Sequence, residues 1–270
     1  MKLLSNAHCH TTYCDGKNSP EEMIRAAIDR NFISLGFSIH GWAPYELCDV
    51  SLEKEAQYRA ELKQLREKYR DQIEIIIGAE RDTMYERSFE GYEYLIDSTH
   101  WFQKDGIMMP VDAYENVMVE NVEKHFGGDF YAYCRAYYEK EADVCAKSDA
   151  LFIGHIDLVS KFNEGGKYFD ESDPRYYKPA LEAAACAIER RVPLEINTGA
   201  IPRGYRSIPY PHPIILKYIQ ERGGEIIINS DAHFAAGMDA AFDEALELAR
   251  SCGFKHILRL RSTGLEEIGI

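Results

Sequence analysis

The stretch Ile73-Glu74-Ile75-Ile76-Ile77-Gly78-Ala79-Glu80 is a short apolar run that leads directly to a carboxylate. Residues 73–78 read as a strand. The preceding stretch Leu52–Tyr69 has the charge density of an exposed helix face. The same alternation extends outward in both directions. Further strands are expected at residues 3–8, 33–38, 94–97, 150–154, 192–196, 225–229 and 256–260. Residues 20–30 form a helix, with Ser19 as its N-cap and Pro20 at its first position. Asp173-Pro174 opens another helix that runs to Arg190, and residues 239–250 form one more. Strands alternating with helices imply parallel pairing through crossovers, and seven or eight such units in one chain read as a barrel. The longest departure lies between Trp101 and Ser148. It should hold one or two helices, within residues 114–125 and Phe130–Lys147, broken at Gly127-Gly128, as an elaboration of one barrel loop. No repeat, linker or composition shift marks a boundary, so residues 1–270 are expected to form one domain.

The chain has 270 residues, with 31 Lys plus Arg against 45 Asp plus Glu, a formal charge of −14. That balance argues against a nucleic-acid-binding surface. A small phosphorylated substrate remains open, because bound metal ions reverse the local sign. The hydrophobic share of 46% excludes wholesale disorder. No apolar run approaches the roughly 20 residues of a membrane helix, and Met1-Lys2-Leu3-Leu4-Ser5-Asn6 turns polar too soon for a signal peptide. Seven cysteines, an odd number without a C-x-x-C pair, point to a reduced, cytoplasmic protein.

The metal-type side chains fall at particular places on this map. His8 and His10 end the first strand, and residues two apart share a face, so both imidazoles point one way and Cys9 the other. Asp15 follows in the next loop. His40 comes after the second strand, Glu80 after the third, His100 after the fourth and His155 after the fifth. Asp231 and His233 follow the seventh. Taken singly, each has a structural reading: His-x-His arises by coincidence, Glu80 suits a helix start, and Asp231 suits an N-cap. The joint pattern argues otherwise. Of nine histidines, six fall at strand ends, and those ends gather on the face where barrel enzymes build their sites. Imidazole and carboxylate suit Zn, Mn or Fe(II), and nine donors suffice for two or three ions sharing a bridging carboxylate.

Asn6-Ala7-His8-Cys9-His10-Thr11, Cys14-Asp15-Gly16 and Phe37-Ser38-Ile39-His40 resemble the first motifs of the PHP (polymerase and histidinol phosphatase) superfamily. Gly78-Ala79-Glu80, Asp97-Ser98-Thr99-His100, Gly154-His155-Ile156-Asp157 and Ser230-Asp231-Ala232-His233 resemble the remaining ones, in the expected order. The size, the insertion after His100 and Asn197-Thr198-Gly199-Ala200 resemble the stand-alone histidinol-phosphate phosphatase branch. Two positions depart from the family: Asn6, where an Asp is common, and Ile39, where an acid is common. The resemblance implies a distorted (β/α)7 TIM-like barrel with a helical insertion after the fourth strand and a trinuclear metal centre. His8, His10, Glu80 and Asp231 would hold one ion. Glu80, His100 and His155 would hold a second, and Asp15, His40 and His233 a third.

The expected activity is hydrolysis of L-histidinol phosphate to L-histidinol and phosphate, in histidine biosynthesis. It would proceed by in-line attack of a metal-bridging hydroxide, without a phospho-enzyme. Glu80, Asp231 and His233 are the expected catalytic groups. Arg203, Arg206 and Lys161 are candidates for binding the phosphate, since a dianion needs fixed cations. Trp42, Tyr45, Trp101 and Phe102 lie just after ligand-bearing positions and are candidates for a pocket wall. The alternatives are a phosphoesterase of the same superfamily acting on a nucleotide or another small ester, an exonuclease-like activity, and a non-catalytic metal-binding scaffold. The acidic charge weighs against the second, and the full set of nine donors against the third. The sequence leaves oligomeric state open.

Overall fold

The computed structural model describes residues 3–45, 48 and 50–270. Met1 and Lys2, part of the N-terminal reading and of the 1–270 span, lie outside the described residues. Strands β1 (Ser5–Asn6), β2 (Ser34–His40), β3 (Glu74–Asp82) and β4 (Tyr94–Ser98) are joined by helices α1 (Pro20–Asp29) and α2 (Leu52–Tyr69) and the segment before β4. An excursion follows: the hairpin β5 (Trp101–Lys104) and β6 (Ile107–Pro110), then helices α3 (Glu115–Phe126) and α4 (Phe130–Lys147). The alternation resumes with β7 (Phe152–Ile153), α5 (Pro174–Arg190), β8 (Leu194–Asn197), α6 (Pro213–Glu221), β9 (Ile226–Asn229), α7 (Phe242–Ser251) and β10 (His256–Arg261). β11 (Gly264–Gly269) folds back antiparallel on β10.

The main sheet runs β1-β2-β3-β4-β7-β8-β9-β10-β11, parallel except for its last pair. It curls until its first strand meets its seventh in this order. The His10 amide donates to the Ala232 carbonyl at 2.9 Å and the Ala232 amide to the His8 carbonyl at 3.1 Å. The result is a curled α/β sheet of the TIM-like kind, with seven α-helices among the described residues. A small apolar cluster that includes Ala7, Ile76, Ile96, Phe152 and Ile227 forms around Tyr94. The Tyr94 hydroxyl donates to the carbonyls of Ala7 and Phe37. That ring needs Gly78: a Cβ there would lie 2.3 Å from it. The larger core, which includes Met23, Ile24, Tyr58, Leu62, Tyr137 and Ala184, packs the helices onto the sheet.

The expected capping of α1 is present in full. Ser19 Oγ accepts from the Glu22 amide, and the Glu22 carboxylate accepts from the Ser19 amide. Both helices of the insertion are found, with Gly127 closing α3 at φ 61°. Three elements were not expected: the β5–β6 hairpin, β11 and α6. All seven cysteines are free thiols, and no helix among the described residues is long and apolar enough to cross a membrane.

Glu141 on α4 is fully enclosed, its Oε2 has no hydrogen-bond partner, and burial pushes its carboxyl up to about 8. The folded chain therefore keeps a proton that the unfolded chain releases at ordinary carboxylate pH. Stability present at low pH is lost between about pH 4.5 and 8 and then levels off. Glu141→Gln keeps the shape and removes the ionisation. Its midpoint in urea should exceed that of the parent at pH 8, and the gap should shrink toward pH 5. An equal gap at both pH values contradicts this assignment.

Candidate metal centre

The parallel register sets the level of the site. His40 on β2 stands opposite Glu80 on β3, and Glu80 opposite Ile96 on β4. His40 is the last residue of β2 and Glu80 lies within β3, two residues before its end, so both sit inside the ladder rather than just beyond it. His8 and His10 follow β1 with their rings 5.2 Å apart on one side. Cys9 points away, toward Asn6 and Met238. Asp231 follows β9 with φ 46°, a left-handed backbone that aspartate tolerates better than most side chains. Strain of this kind is retained where a site demands a particular direction.

Glu80 is the hub. Its Oε2 lies 3.3 Å from His8 Nε2, 3.4 Å from His10 Nε2 and 3.2 Å from His40 Nδ1. Its Oε1 lies 3.0 Å from His155 Nε2 and 3.3 Å from His100 Nε2. Asp231 Oδ1 faces His10 Nε2 at 3.1 Å and His8 Nε2 at 3.6 Å. A third carboxylate, Asp15, lies 3.0 Å from His233 Nε2 and 3.5 Å from His40 Nε2. The His40 ring thus joins the Asp15 group to the Glu80 group. All nine expected donors come together.

Four of these atoms, His8 Nε2, His10 Nε2, Glu80 Oε2 and Asp231 Oδ1, are buried and have no hydrogen-bond partner. Leaving such atoms unpaired costs about 1–3 kcal/mol each, and more for charged groups. A tetrahedral ion with donors at about 2.0–2.1 Å has donor–donor edges of roughly 3.3–3.4 Å. Four of the six donor–donor distances, between 3.1 and 3.6 Å, bracket that value. The donor set therefore fits a divalent cation. Electrostatics agree. Burial, and then the neighbouring His233 and His40 rings, lower His10 to about 4, which leaves it a neutral ligand. Burial opposes the charge on His40, but Asp15 and Glu80 outweigh it and hold the ring at about 9 without a cation.

Around these donors is a cavity of about 280 Å³ whose wall includes Trp101, Asp112, Tyr114, Lys161 and Arg203. That size is at the small end for ligand pockets. Arg203 Nε donates to the Gly199 carbonyl at 2.8 Å and Nη2 to Asp231 Oδ2 at 3.0 Å. Gly199 permits this approach: a Cβ there would meet the Ser230 carbonyl at 2.8 Å. Lys161 Nζ donates to the Asp112 carbonyl at 2.7 Å and lies 3.3 Å from its carboxylate. Burial alone would raise Asp112, but Lys161, His100 and His155 outweigh it and hold the carboxyl at about 2.

Arg206 does not reach this cavity. Its guanidinium forks onto Glu171 at 2.7 and 2.9 Å and donates to the Ser160 carbonyl at 2.8 Å. It is a brace between the loops after β7 and β8, which removes it from the phosphate-binding candidates. Of the expected wall aromatics, Trp101 lines the cavity. Tyr45 packs on Trp101 and donates to Asp82. Phe102 is enclosed against Tyr133, and Trp42 packs on Tyr85.

The sequence reading missed Glu195. It is fully buried on β8, and its carboxylate accepts from His8 Nδ1 at 2.8 Å, the His155 amide at 2.9 Å, and the Asn197 and Asn229 amides. It fixes the His8 tautomer that presents Nε2 to the cation, as carboxylates behind ligating histidines do. An acid inside the apolar run Val192-Pro193-Leu194-Glu195-Ile196 was the available signal. Asn6 carries none of this load. Its Oδ1 accepts from the His8 and Ser230 amides and its Nδ2 donates to Ser230 Oγ, so it ties β1 to β9.

A family model described as PHP domain matches residues 6–199. The chain is 27% identical over 276 residues to a Deinococcus radiodurans protein named "Probable histidinol-phosphatase", covering 94% of this chain and 95% of that one. It is 25% identical over 267 residues to the histidinol-phosphatase of Bacillus subtilis, covering 90% and 98%. A Listeria monocytogenes crystal structure described as that of a "putative histidinol phosphatase" superposes with TM-score 0.76 at 20% identity, covering 88% of this chain and 98% of that one. The Lactococcus lactis histidinol phosphate phosphatase, complexed with zinc, L-histidinol and phosphate, gives 0.69 at 19% identity, covering 98% and 100%. At these identities the two structures establish the fold alone.

Glu195→Gln should leave the fold intact and weaken metal affinity about 10–100-fold. Competition with a chelator, read as metal retained per chain, checks this. An unchanged affinity contradicts the positioning role.

Proposed function

This chain belongs to the PHP domain family, and we propose that it is a metal-dependent phosphomonoesterase that hydrolyses L-histidinol phosphate to L-histidinol and phosphate. The observation that carries the reading is the convergence of four unpartnered buried donors, from His8, His10, Glu80 and Asp231, beneath a small cavity that also carries Arg203 and Lys161. Relatives named histidinol-phosphatase that match along nearly the whole chain supply the substrate. The fold is read more finely as a distorted (β/α)7 barrel that closes between the segments after β1 and β9. The β5–β6 hairpin, α3 and α4 are its insertion, and residues 1–270 make one domain. Seven free thiols suit a cytoplasmic setting.

Two to three divalent ions, Zn, Mn or Fe, are proposed. His8, His10, Glu80 and Asp231 would hold one, Glu80, His100 and His155 a second, and Asp15, His40 and His233 a third. Ions bound there acidify water and neutralise phosphoryl charge. The residues do the rest. Glu80 divides its two oxygens between two donor groups and so sets their spacing. Arg203, braced by Gly199 and Asp231, offers its planar cation to the phosphoryl oxygens at the edge of the cluster. Lys161 adds a second positive charge in the same wall. Water's oxygen bonds to phosphorus, the ester P–O bond breaks, and the leaving alkoxide takes a proton. Asp231 and His233 are the groups placed to move that proton.

Protein reconstituted with Mn or Zn should release phosphate from L-histidinol phosphate with kcat/KM of roughly 10⁴ M⁻¹s⁻¹ or more, ahead of a panel of nucleotides and other esters. A different leading ester overturns the substrate, and no turnover by metal-loaded protein overturns the reaction. Glu80→Gln should lose metal and at least about a hundredfold in kcat/KM together. Near-normal turnover in that variant contradicts its role. Arg203→Ala should raise KM or lower kcat/KM with metal content intact, and unchanged kinetics remove it from the site.

A further inference from the structure

A substrate that carries both a phosphate and an ammonium group needs an anion outside the metal-binding set. Among the described residues that line the cavity, the carboxylates are Asp15, Glu80, Asp112 and Asp231. Asp15, Glu80 and Asp231 face imidazole nitrogens. Asp112 is paired instead with Lys161, at 3.3 Å.

Two of the loops that carry metal-type donors hold Asp112 in place. The β5–β6 hairpin returns the chain so that the Val111 amide donates to the His100 carbonyl at 2.8 Å, and Asp112 is the next residue. On the other side, Lys161 leaves the turn Leu158–Ser160 that follows His155, and its Nζ grips both the carbonyl and the carboxylate of Asp112. The Lys161 ammonium also sits over the Tyr205 ring at 4.8 Å, which fixes its position. The two ends of this ion pair are not equally open. The Lys161 side chain is 9% exposed and the Asp112 side chain 32%. Both residues line the cavity, and the carboxylate is the more open end of the pair, beside a cluster suited to a phosphoryl group.

We propose that Asp112 receives the substrate's ammonium group, so that the site selects phosphate monoesters of 2-amino alcohols over esters that lack the amine. In such an ester two carbons and one oxygen separate the nitrogen from phosphorus, so a group seated on the cluster brings its ammonium to the adjacent wall. The inference rests on the phosphomonoesterase reading above and deepens it. The insertion after β4 then acts in specificity as well as packing, because it delivers Asp112.

The test compares kcat/KM for L-histidinol phosphate and for 3-(imidazol-4-yl)propyl phosphate, which differs only by lacking the amine. Manganese-loaded parent, Asp112→Asn and Asp112→Glu are measured, with metal content determined for each. The parent should prefer the amine ester by about 10–100-fold, the range of a hydrogen bond to a charged group. Asp112→Asn should bring that ratio close to one, chiefly through KM for the amine ester, and Asp112→Glu should retain much of it. A preserved ratio in Asp112→Asn overturns the proposal. So does a parent preference under about threefold, a result that stands even if the variant fails to fold. A second pair, O-phosphoethanolamine and ethyl phosphate, separates the two readings. If the parent ignores both imidazole esters but prefers the amine in this pair, and Asp112→Asn loses that preference, the histidinol assignment fails and the role of Asp112 stands.

Discussion

The structure depends on one buried carboxylate. Glu80 is 1% exposed and faces five imidazole nitrogens at 3.0–3.4 Å, three across Oε2 and two across Oε1. Without a partner, so many polar atoms in so little space are expensive. The surrounding sheet tolerates them because its parallel register holds His40 level with Glu80, and because the bridge between Cys9 and Ala232 brings His8 and His10 to the same height. Cations resolve the mismatch. Four donor–donor distances lie close to those found around a small divalent ion, and the carboxylate behind His8 sets the ring that must present its lone pair. Fold and site are therefore one constraint: a slip of a single residue in β2 or β3 would turn these side chains out of the cluster.

The insertion after β4 shows how the same scaffold gains selectivity. The hairpin, α3 and α4 leave the sheet at His100 and return to it at β7, just before His155. Trp101, Pro110, Asp112, Ala113 and Tyr114 of this insertion line the cavity beside His100 and His155, which face Glu80. The wall built there carries an aromatic surface from Trp101 and Tyr114 and the charge pair of Asp112 and Lys161. Loops on a shared barrel vary in this way while the strand ends that carry the donors stay fixed.

Much of the fold and the nine donors was legible in the sequence, for a physical reason. The donors must sit where parallel strands end on one face, so histidines and acids follow apolar runs at regular places. The two-residue period separates His8 and His10 from Cys9. What stayed hidden lacked such a signal. The β5–β6 hairpin turns on Asp105-Gly106 inside a stretch without strong alternation. Helix α6 announces itself only by His212-Pro213 and the apolar spacing of Ile215, Leu216 and Ile219. Glu195 lies inside a strand, and only the curled sheet shows that it backs His8. Arg206 and Arg203 look alike in Ile201-Pro202-Arg203-Gly204-Tyr205-Arg206. Glu171, more than thirty residues away, takes one of them out of the site.

The central claim is that the Glu80 cluster is a metal centre. Crystals grown with manganese or zinc and measured on either side of that metal's absorption edge test it most directly. The account predicts an element-specific peak among His8 Nε2, His10 Nε2, Glu80 Oε2 and Asp231 Oδ1, about 2.0–2.2 Å from each atom. Well-ordered density for the same side chains, with no anomalous peak and with water or direct hydrogen bonds completing the four atoms, would contradict it.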